Sequence, residues 1–256
     1  MELVERAATD STFLSAYVRV GTWNVNEATA VRSGVDPFLE ILHLVREQRL
    51  DLLAMQEVPF PDCSDVSPLF QRLLGETQLS YMAGHNLSPS YVRPGGRSGV
   101  AIASRFPFDE VTRAVFPNPQ LVSEGIYSFD KGTVTIRISL GGRKITLGSV
   151  HLFPFHRFHR RAEEPEFSAI WDHLAKEVEQ YDDEVVVFAG DFNTEQRDLV
   201  LRRLEGPLQS ALPGGRVDDV LFGGARLVTV TTVPTFSDHP LCIAELDLTS
   251  AREAAA

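Results

Sequence analysis

Five short segments of this 256-residue chain place acidic, amide or imidazole groups where apolar, strand-like runs stop. They are GTWNVN, with Asn24 and Asn26; MQEV, with Glu57; SVHLFP, with His151; FAGDFNT, with Asp191 and Asn193; and FSDHP, with Asp238 and His239. Carboxylate and amide oxygens are the ligands a hard divalent cation prefers, and imidazoles and carboxylates are the groups that transfer protons near neutral pH. Taken singly, each segment has an ordinary structural explanation. A strand-end Asn caps turns, a lone Glu after a strand is most often solvated, and Gly-Asp-Phe-Asn or Asp-His-Pro can be no more than a turn. The weight lies in the set and its order.

These groups need elements to hold them. Residues 17–25 are β-rich, and Gly34-Val35-Asp36-Pro37 then announces a helix, with Asp36 as N-cap and Pro37 at the first helical position. Phe38, Ile41, Leu42 and Val45 recur on one face of that helix. Residues 50–55 read as a buried strand ending at Gln56-Glu57, and Ser67-Pro68 caps a short helix that stops at Gly75. Residues 100–103 form another buried strand, whereas 84–97 read as a loop carrying Tyr91, Arg93 and Arg97. Residues 133–140 and 144–150 flank Gly141-Gly142, a hairpin signal because paired glycines accept the positive φ of a tight turn. Glu164-Pro165 opens a helix with Phe167, Ile170, Trp171, Leu174 and Val178 on one stripe; residues 185–189 are a fully apolar strand, and Thr194 caps the next helix. Strands at 217–222, 225–230 and 241–248 follow. Hairpins mixed with helices, without strict βαβ alternation, predict two packed sheets with helices outside. No linker or repeat divides the chain, so one domain over 1–256 is expected, with its core at about 17–248. Every polar motif is expected at the C-terminal end of a strand or just past it, where rigid scaffolds present reactive groups.

The ordered set resembles the endonuclease/exonuclease/phosphatase superfamily, which includes deoxyribonuclease-I-like nucleases, inositol polyphosphate 5-phosphatases, neutral sphingomyelinases and deadenylases. Its pattern matches Asn24, Gln56-Glu57, His151-Leu152, Gly190-Asp191-Phe192-Asn193 and Ser237-Asp238-His239, and SGVAIASRFP (98–107) resembles its internal strand and turn. RVDDVLF resembles the segment where the family carries an Asp two residues after Arg, here Asp218. His151-Leu152 stands where apurinic-site endonucleases carry a Tyr-containing segment, which places the chain nearer the deoxyribonuclease, sphingomyelinase and phosphatase branches. The resemblance implies an α/β fold of two packed, mixed but mainly antiparallel sheets flanked by helices, a four-layer sandwich. It implies Mg²⁺ as cofactor, with Mn²⁺ as the alternative. Glu57 would anchor the cation, with Asn24 assisting and Asp238 adding a direct or water-mediated contact. Asp191 would orient and deprotonate the attacking water, and Asn193 would donate to a phosphoryl oxygen. His239, oriented by Asp218, would contact the phosphate as a cation. His151 would bind a phosphoryl oxygen or act as an acid toward the leaving group, and the sequence shows no carboxylate partner for it.

Further substrate contacts are expected from Asn26, Arg97, Lys131 and Arg157. Lys131 lies in Phe-Asp-Lys-Gly, which resembles a step found in phosphatase and sphingomyelinase members; a solvated turn is the other reading. HLFPFHRFHRR sets His156, Arg157, His159, Arg160 and Arg161 after His151, either as a cationic wall for a second phosphate or as an exposed basic run.

Composition narrows the substrate. A formal net charge of −11 opposes a broad polyanion-binding surface, which needs clustered Lys and Arg, although a bound cation and a few Arg can hold a nucleic acid locally. Cys63 and Cys242 have no metal-ligand spacing, and Cys242 in LCIAEL reads as a buried hydrophobe. The N-terminal stretch does not read as a secretory signal, and no run approaches the ~20 apolar residues of a membrane span, so a cytoplasmic protein without stable membrane association is expected. The leading expectation is a phosphatase or phosphodiesterase for a small phosphorylated molecule. A nuclease on DNA or RNA is the alternative. A lipid phosphodiesterase is disfavoured because no apolar hairpin is evident, and a non-catalytic scaffold because the chemical set is intact.

Overall fold

The structure, a computed structural model, describes residues 17–30, 34–181, 185–204, 206–212, 214 and 216–249. The first half of the chain runs through β1 (Tyr17–Asn24), α1 (Pro37–Glu47), β2 (Leu52–Phe60), α2 (Pro68–Glu76), β3 (Tyr81–Pro89), β4 (Arg97–Ser104) and β5 (Glu110–Val115). The short hairpin strands β6 (Val122–Ser123) and β7 (Ile126–Tyr127) lead into β8 (Gly132–Leu140), β9 (Arg143–His151), α3 (Ser168–Glu179) and β10 (Val185–Asp191). The chain closes with α4 (Arg197–Leu204), β11 (Gln209–Ser210), β12 (Asp218–Gly223), β13 (Arg226–Val233) and β14 (Leu241–Asp247).

Local chemistry explains the boundaries. Asp36 Oδ1 accepts from the backbone N–H of Phe38 and Leu39, and Pro37 needs no N–H partner at the first position of α1. Ser67 Oγ accepts from Leu69 N in the same way at α2. Gly141 and Gly142 turn the β8–β9 hairpin with φ of 61° and 79°. The Phe167, Ile170, Trp171, Leu174 and Val178 stripe is buried, Phe167 in a 3₁₀ turn and the rest on α3.

One sheet has the strand order β13-β14-β1-β2-β4-β3 and the other β11-β12-β10-β9-β8-β5. Val20, Leu52 and Ile102 of the first meet Ile136, Leu147 and Val187 of the second in a shared apolar core. Helices α1 and α2 cover the first sheet through Ile41, Val45, Leu69 and Leu73. Helices α3 and α4 cover the second through Ile170, Trp171, Leu174 and Val200. This is the expected four-layer sandwich. Each sheet is antiparallel except for one central parallel pair, β1 with β2 and β9 with β10. The two pairs face each other, and a buried polar link ties them: Gln56 Nε2 donates to Ser149 Oγ (3.1 Å), which donates to Met55 O (3.0 Å).

Three sequence expectations change. Strand β2 does not stop at Gln56-Glu57 but continues to Phe60 through a bulge between Gln56 and Val58. Residues 84–89 are not loop but part of the edge strand β3, and Arg97 starts β4, so the loop is confined to 90–96. An edge strand pairs on one side only and buries one partial face, so Tyr-Met-Ala-Gly-His-Asn-Leu-Ser-Pro shows no apolar run. Asp218 starts β12 rather than ending a strand, because β12 runs antiparallel to β10 and brings its N-terminal end to the C-terminal end of its neighbour. The hairpin β6–β7 also exposes Val122, Ile126 and Tyr127, an apolar feature too short to show as a hydrophobic pattern.

Candidate active site

The ends of the two parallel pairs meet at one edge of the sandwich. In register, Asn24 lies opposite Gln56 in the first sheet, and Asp191 lies between His151 and Asp218 in the second. The sheets are joined here by side chains: Asn24 Nδ2 donates to Asp191 Oδ2 at 3.1 Å, while Asn24 Oδ1 accepts from Asn26 N at 3.0 Å. Asp191 Oδ1 accepts from Asn193 N at 2.8 Å, and Asn193 Nδ2 donates to Leu152 O at 2.9 Å. The loop before β14 is fastened by Ser237 Oγ, which donates to Asn24 O (2.9 Å) and accepts from His239 N (3.1 Å).

Glu57 reaches the site through the β2 bulge. The extra residue takes φ of 51°, and a bulge of this kind re-aims a side chain out of the strand's alternation. Its carboxylate enters a cavity of about 180 Å³. Asn26, Glu57 and His239 line the cavity from segments that adjoin the first sheet, and Lys131, His151, Arg157, Asp191 and Asn193 from segments that adjoin the second. A larger cleft of about 600 Å³ runs along α4 past Arg197 and Asp198, but it holds none of the expected groups. Chemistry, not volume, marks the site.

The two imidazoles differ in charge, one cationic and one neutral. Burial acts to lower the His239 pKa, but the hydrogen bond from Nδ1 to Asp218 (2.9 Å to Oδ2) and the charge of Asp191 outweigh it, raising the value to about 9. His239 is therefore an imidazolium with Nε2 turned toward Asp191 Oδ2, 3.9 Å away. His151 is driven well below 6.5, first by burial and then by Lys131, so it is neutral. Lys131 Nζ lies 3.1 Å from His151 Nε2 and 3.3 Å from Nδ1. Burial lowers the Lys131 pKa, opposed by Glu57 and Asp191. Asp191 is raised by burial and by Asp218, opposed by His239. A carboxylate with a raised pKa is a better proton acceptor than one held at its ordinary value.

The chain matches the model of the Endonuclease/Exonuclease/phosphatase family over residues 21–239. It belongs to that family. The fold is similar to that of an endonuclease/exonuclease/phosphatase from Beutenbergia cavernae, with 19% identity, a TM-score of 0.69, and coverage of 92% of this chain and 72% of that one. An endonuclease/exonuclease/phosphatase family protein from Leptotrichia buccalis gives 15% identity and a TM-score of 0.67, covering 90% and 99% of the two chains. D. rerio TDP2 complexed with single strand DNA product gives 14% identity and a TM-score of 0.60, covering 91% and 99%. No curated protein matches. Members of the endonuclease/exonuclease/phosphatase family are generally hydrolases of phosphoester bonds that use divalent metals.

The donors suit such a metal. Among the described residues Glu57 has no hydrogen-bond donor; the neutral His151 ring approaches it with Nε2 at 3.8 Å. A carboxylate left unpaired beside amide and carboxylate oxygens fits a hard cation. Asp191, Asp218 and His239 also lie close enough to surround an ion, with one atom from each within 4.8 Å of the others, but the Asp218–His239 hydrogen bond already engages two of the three.

Two of the expected residues stand apart, Arg97 named from the loop at 84–97 and Asp238 from the endonuclease/exonuclease/phosphatase pattern. Arg97 does not line the cavity, and its Nε donates to Asn86 Oδ1 at 2.5 Å. Asp238 is exposed, accepts from Ser237 Oγ, and does not line the cavity either. Of the basic run after His151, only Arg157 lines the cavity; Arg160 pairs with Glu164 and Glu166, and Arg161 with Glu163. Sequence reasoning missed Glu27, which is buried at the cavity wall, and the pair of Arg197 and Asp219. Asp219 is fully buried beside Asp218 and meets Arg197 Nε at 2.5 Å, while Arg197 Nη2 donates to Arg216 O. The pair anchors the strand start that carries Asp218. Arg197→Met leaves a buried carboxylate without its cation and is expected to destabilise by about 3 kcal/mol, read from the urea midpoint at constant slope.

Proposed function

We propose that the chain is a divalent-metal-dependent phosphoesterase that cleaves a P–O bond of a small phosphorylated molecule by in-line attack of water. The observation that supports it best is the meeting of Glu57, Asp191 and an Asp218-backed His239 around one small cavity. Glu57 would hold the cation, Mg²⁺ or Mn²⁺, assisted by Asn24, with Asp238 as the more distant candidate ligand outside the cavity. When bound, the cation neutralises phosphoryl oxygens and lowers the cost of charge build-up at phosphorus.

The remaining steps belong to side chains. Asp191, fixed through both oxygens by Asn193 N and Asn24 Nδ2, orients the water and takes its proton as the new O–P bond forms. His239 and Lys131 place cationic charge on the phosphoryl oxygens, and the second N–H of the Asn193 amide donates to one of them. Neutral His151, pinned by Lys131, serves as a phosphoryl ligand rather than as the acid. The old P–O bond breaks toward the cavity mouth, where Asn26 and Arg157 receive the departing oxygen and a solvent proton completes the alcohol.

Phosphate release from sugar phosphates, nucleotides and inositol phosphates is expected to stop with EDTA and return with Mg²⁺. Independently of turnover, Mg²⁺ is expected to raise the melting temperature of the wild type and not of Glu57→Gln, because a ligand bound only by the folded state stabilises it. No EDTA-sensitive turnover and no Mg²⁺ shift would count against the metal and the reaction together.

A nuclease reading draws on the fold shared with the DNA-bound D. rerio TDP2. The net charge of −11 opposes a long cationic track. Oligonucleotide cleavage that falls steeply with added salt would favour it.

A further inference from the structure

Beyond the catalytic groups, one wall of the cavity is built around a strained turn. Asn26, Glu27 and Ala28 take φ of 45°, 52° and 52° in succession. The left-handed region is unfavourable for residues with a Cβ, so the surroundings must enforce this conformation. The enforcing contacts come from the loop at 90–96. The buried Glu27 carboxylate accepts from Ser90 Oγ through one oxygen and from Tyr91 N, at 3.1 Å, through the other. The Glu27 carbonyl accepts from the Arg93 guanidinium. Ser90 Oγ in turn accepts from Val92 N (3.1 Å) and Arg93 N (2.8 Å), and Ser90 N donates to Gly96 O (2.9 Å), which closes the loop on itself. A carboxylate that a chemist would assign to metal or proton transfer is thus spent on holding seven residues in place.

What the clasp holds is an aromatic ring at the mouth. Tyr91 lines the cavity yet remains 54% exposed, so part of its ring faces open space. Phe129, two residues before Lys131, packs against it with centroids 4.4 Å apart and planes tilted by 40°, which fixes the ring from behind. Arg157 stands on the same cavity. A ring pinned through both its backbone and one face has already lost its rotamer freedom, so a planar group stacking on it meets little further ordering cost.

We propose that Tyr91 is a specificity-determining residue that stacks a planar ring carried by the phosphate ester, and that Glu27 is the positioning residue that sets it. The favoured substrate class is a small phosphate ester with an aromatic or heteroaromatic ring close to the phosphorus. This rests on the phosphoesterase reading and deepens it. The Phe129-backed ring gives the planar group a preset surface, while the phosphate sits among His151, Asn193 and His239.

The test uses benzylphosphonate and ethylphosphonate, which carry the same charge and a P–C bond that cannot be hydrolysed. Isothermal titration with Mg²⁺ present is expected to show benzylphosphonate binding about tenfold more tightly to the wild type, within the range measured for a base stacked on an aromatic side chain. Tyr91→Phe keeps that preference and Tyr91→Ala loses it, with ethylphosphonate binding alike in all three. Glu27→Ala, with Tyr91 still present, lowers the preference at least threefold, and Glu27→Gln lowers it less. Equal binding of the two phosphonates to wild type, or a preference that survives in Tyr91→Ala, overturns the inference while leaving the phosphoesterase reading intact. Binding of neither, with no ester hydrolysed, overturns both.

Discussion

Asp191→Asn is expected to lower kcat by about 10²-fold or more, the scale of a lost general base. The residue ends β10, accepts from Asn24 Nδ2 across the sheet interface and from Asn193 N in its own loop. Those two bonds leave the carboxylate oriented, and burial with Asp218 nearby leaves it readier to take a proton than a free Asp. An amide in its place has one acceptor instead of two and cannot accept the water's proton at neutral pH. Its NH₂ would also face a donor, either Asn24 Nδ2 or Asn193 N, so some loss of stability accompanies the loss of rate. Steady-state kinetics at saturating substrate, with the melting temperature recorded on the same sample, separates the two effects. A decrease of less than about threefold in kcat would mean that another group takes the proton.

Asp218→Asn is expected to cost about 10²-fold at pH 8 and less at pH 6, and His239→Ala to cost a similar factor at both. In the wild type His239 is held at about 9 by Asp218 and Asp191 against the opposing effect of burial, so it stays cationic through neutral pH. The sign follows from that direction. The folded value lies above the free value of 6.5, so the stabilisation is complete below about pH 6.5 and is lost as pH rises through about 9. Activity that depends on the imidazolium has the same alkaline limb. Removing the Asp218 charge moves that limb down toward 6.5, which is why the deficit grows between pH 6 and 8. A pH–rate profile checks it; an unmoved limb in Asp218→Asn would assign the limb to a different group.

Much of the site was legible because its residues interrupt apolar strands, and a buried strand has no other use for a terminal Asp or His. Asp191 ends a fully apolar run and His151 a strand that is buried from Ile145 onward, and both face the cavity. Glu57 was legible as a residue but not as a bulge, since the apolar pattern continues past it through Val58 to Phe60 and only the pairing with β4 reveals the extra residue. Arg97 was misplaced for a related reason. With β3 taken as loop, the arginine seemed free to turn toward substrate, whereas it begins β4 and binds Asn86 on the neighbouring edge strand. Glu27 could not be distinguished from a solvated acidic residue, because its partners Ser90 and Tyr91 lie more than sixty positions away. Asp219 and Arg197 likewise carry no local signal, because only the fold brings the strand start and α4 together. Lys131 is the opposite case: Phe-Asp-Lys-Gly reads equally as a turn, and only its burial against His151 settles its place.

The most direct measurement is a crystal structure of the protein grown with Mn²⁺ and inorganic phosphate, with the cation located by its anomalous signal. The expected result is a single site at the β2 bulge, with Mn²⁺ on the Glu57 carboxylate and a phosphate oxygen within hydrogen-bonding distance of His239 Nε2. Cation and phosphate bound elsewhere, with the space between the two parallel strand pairs filled only by water, would contradict the account.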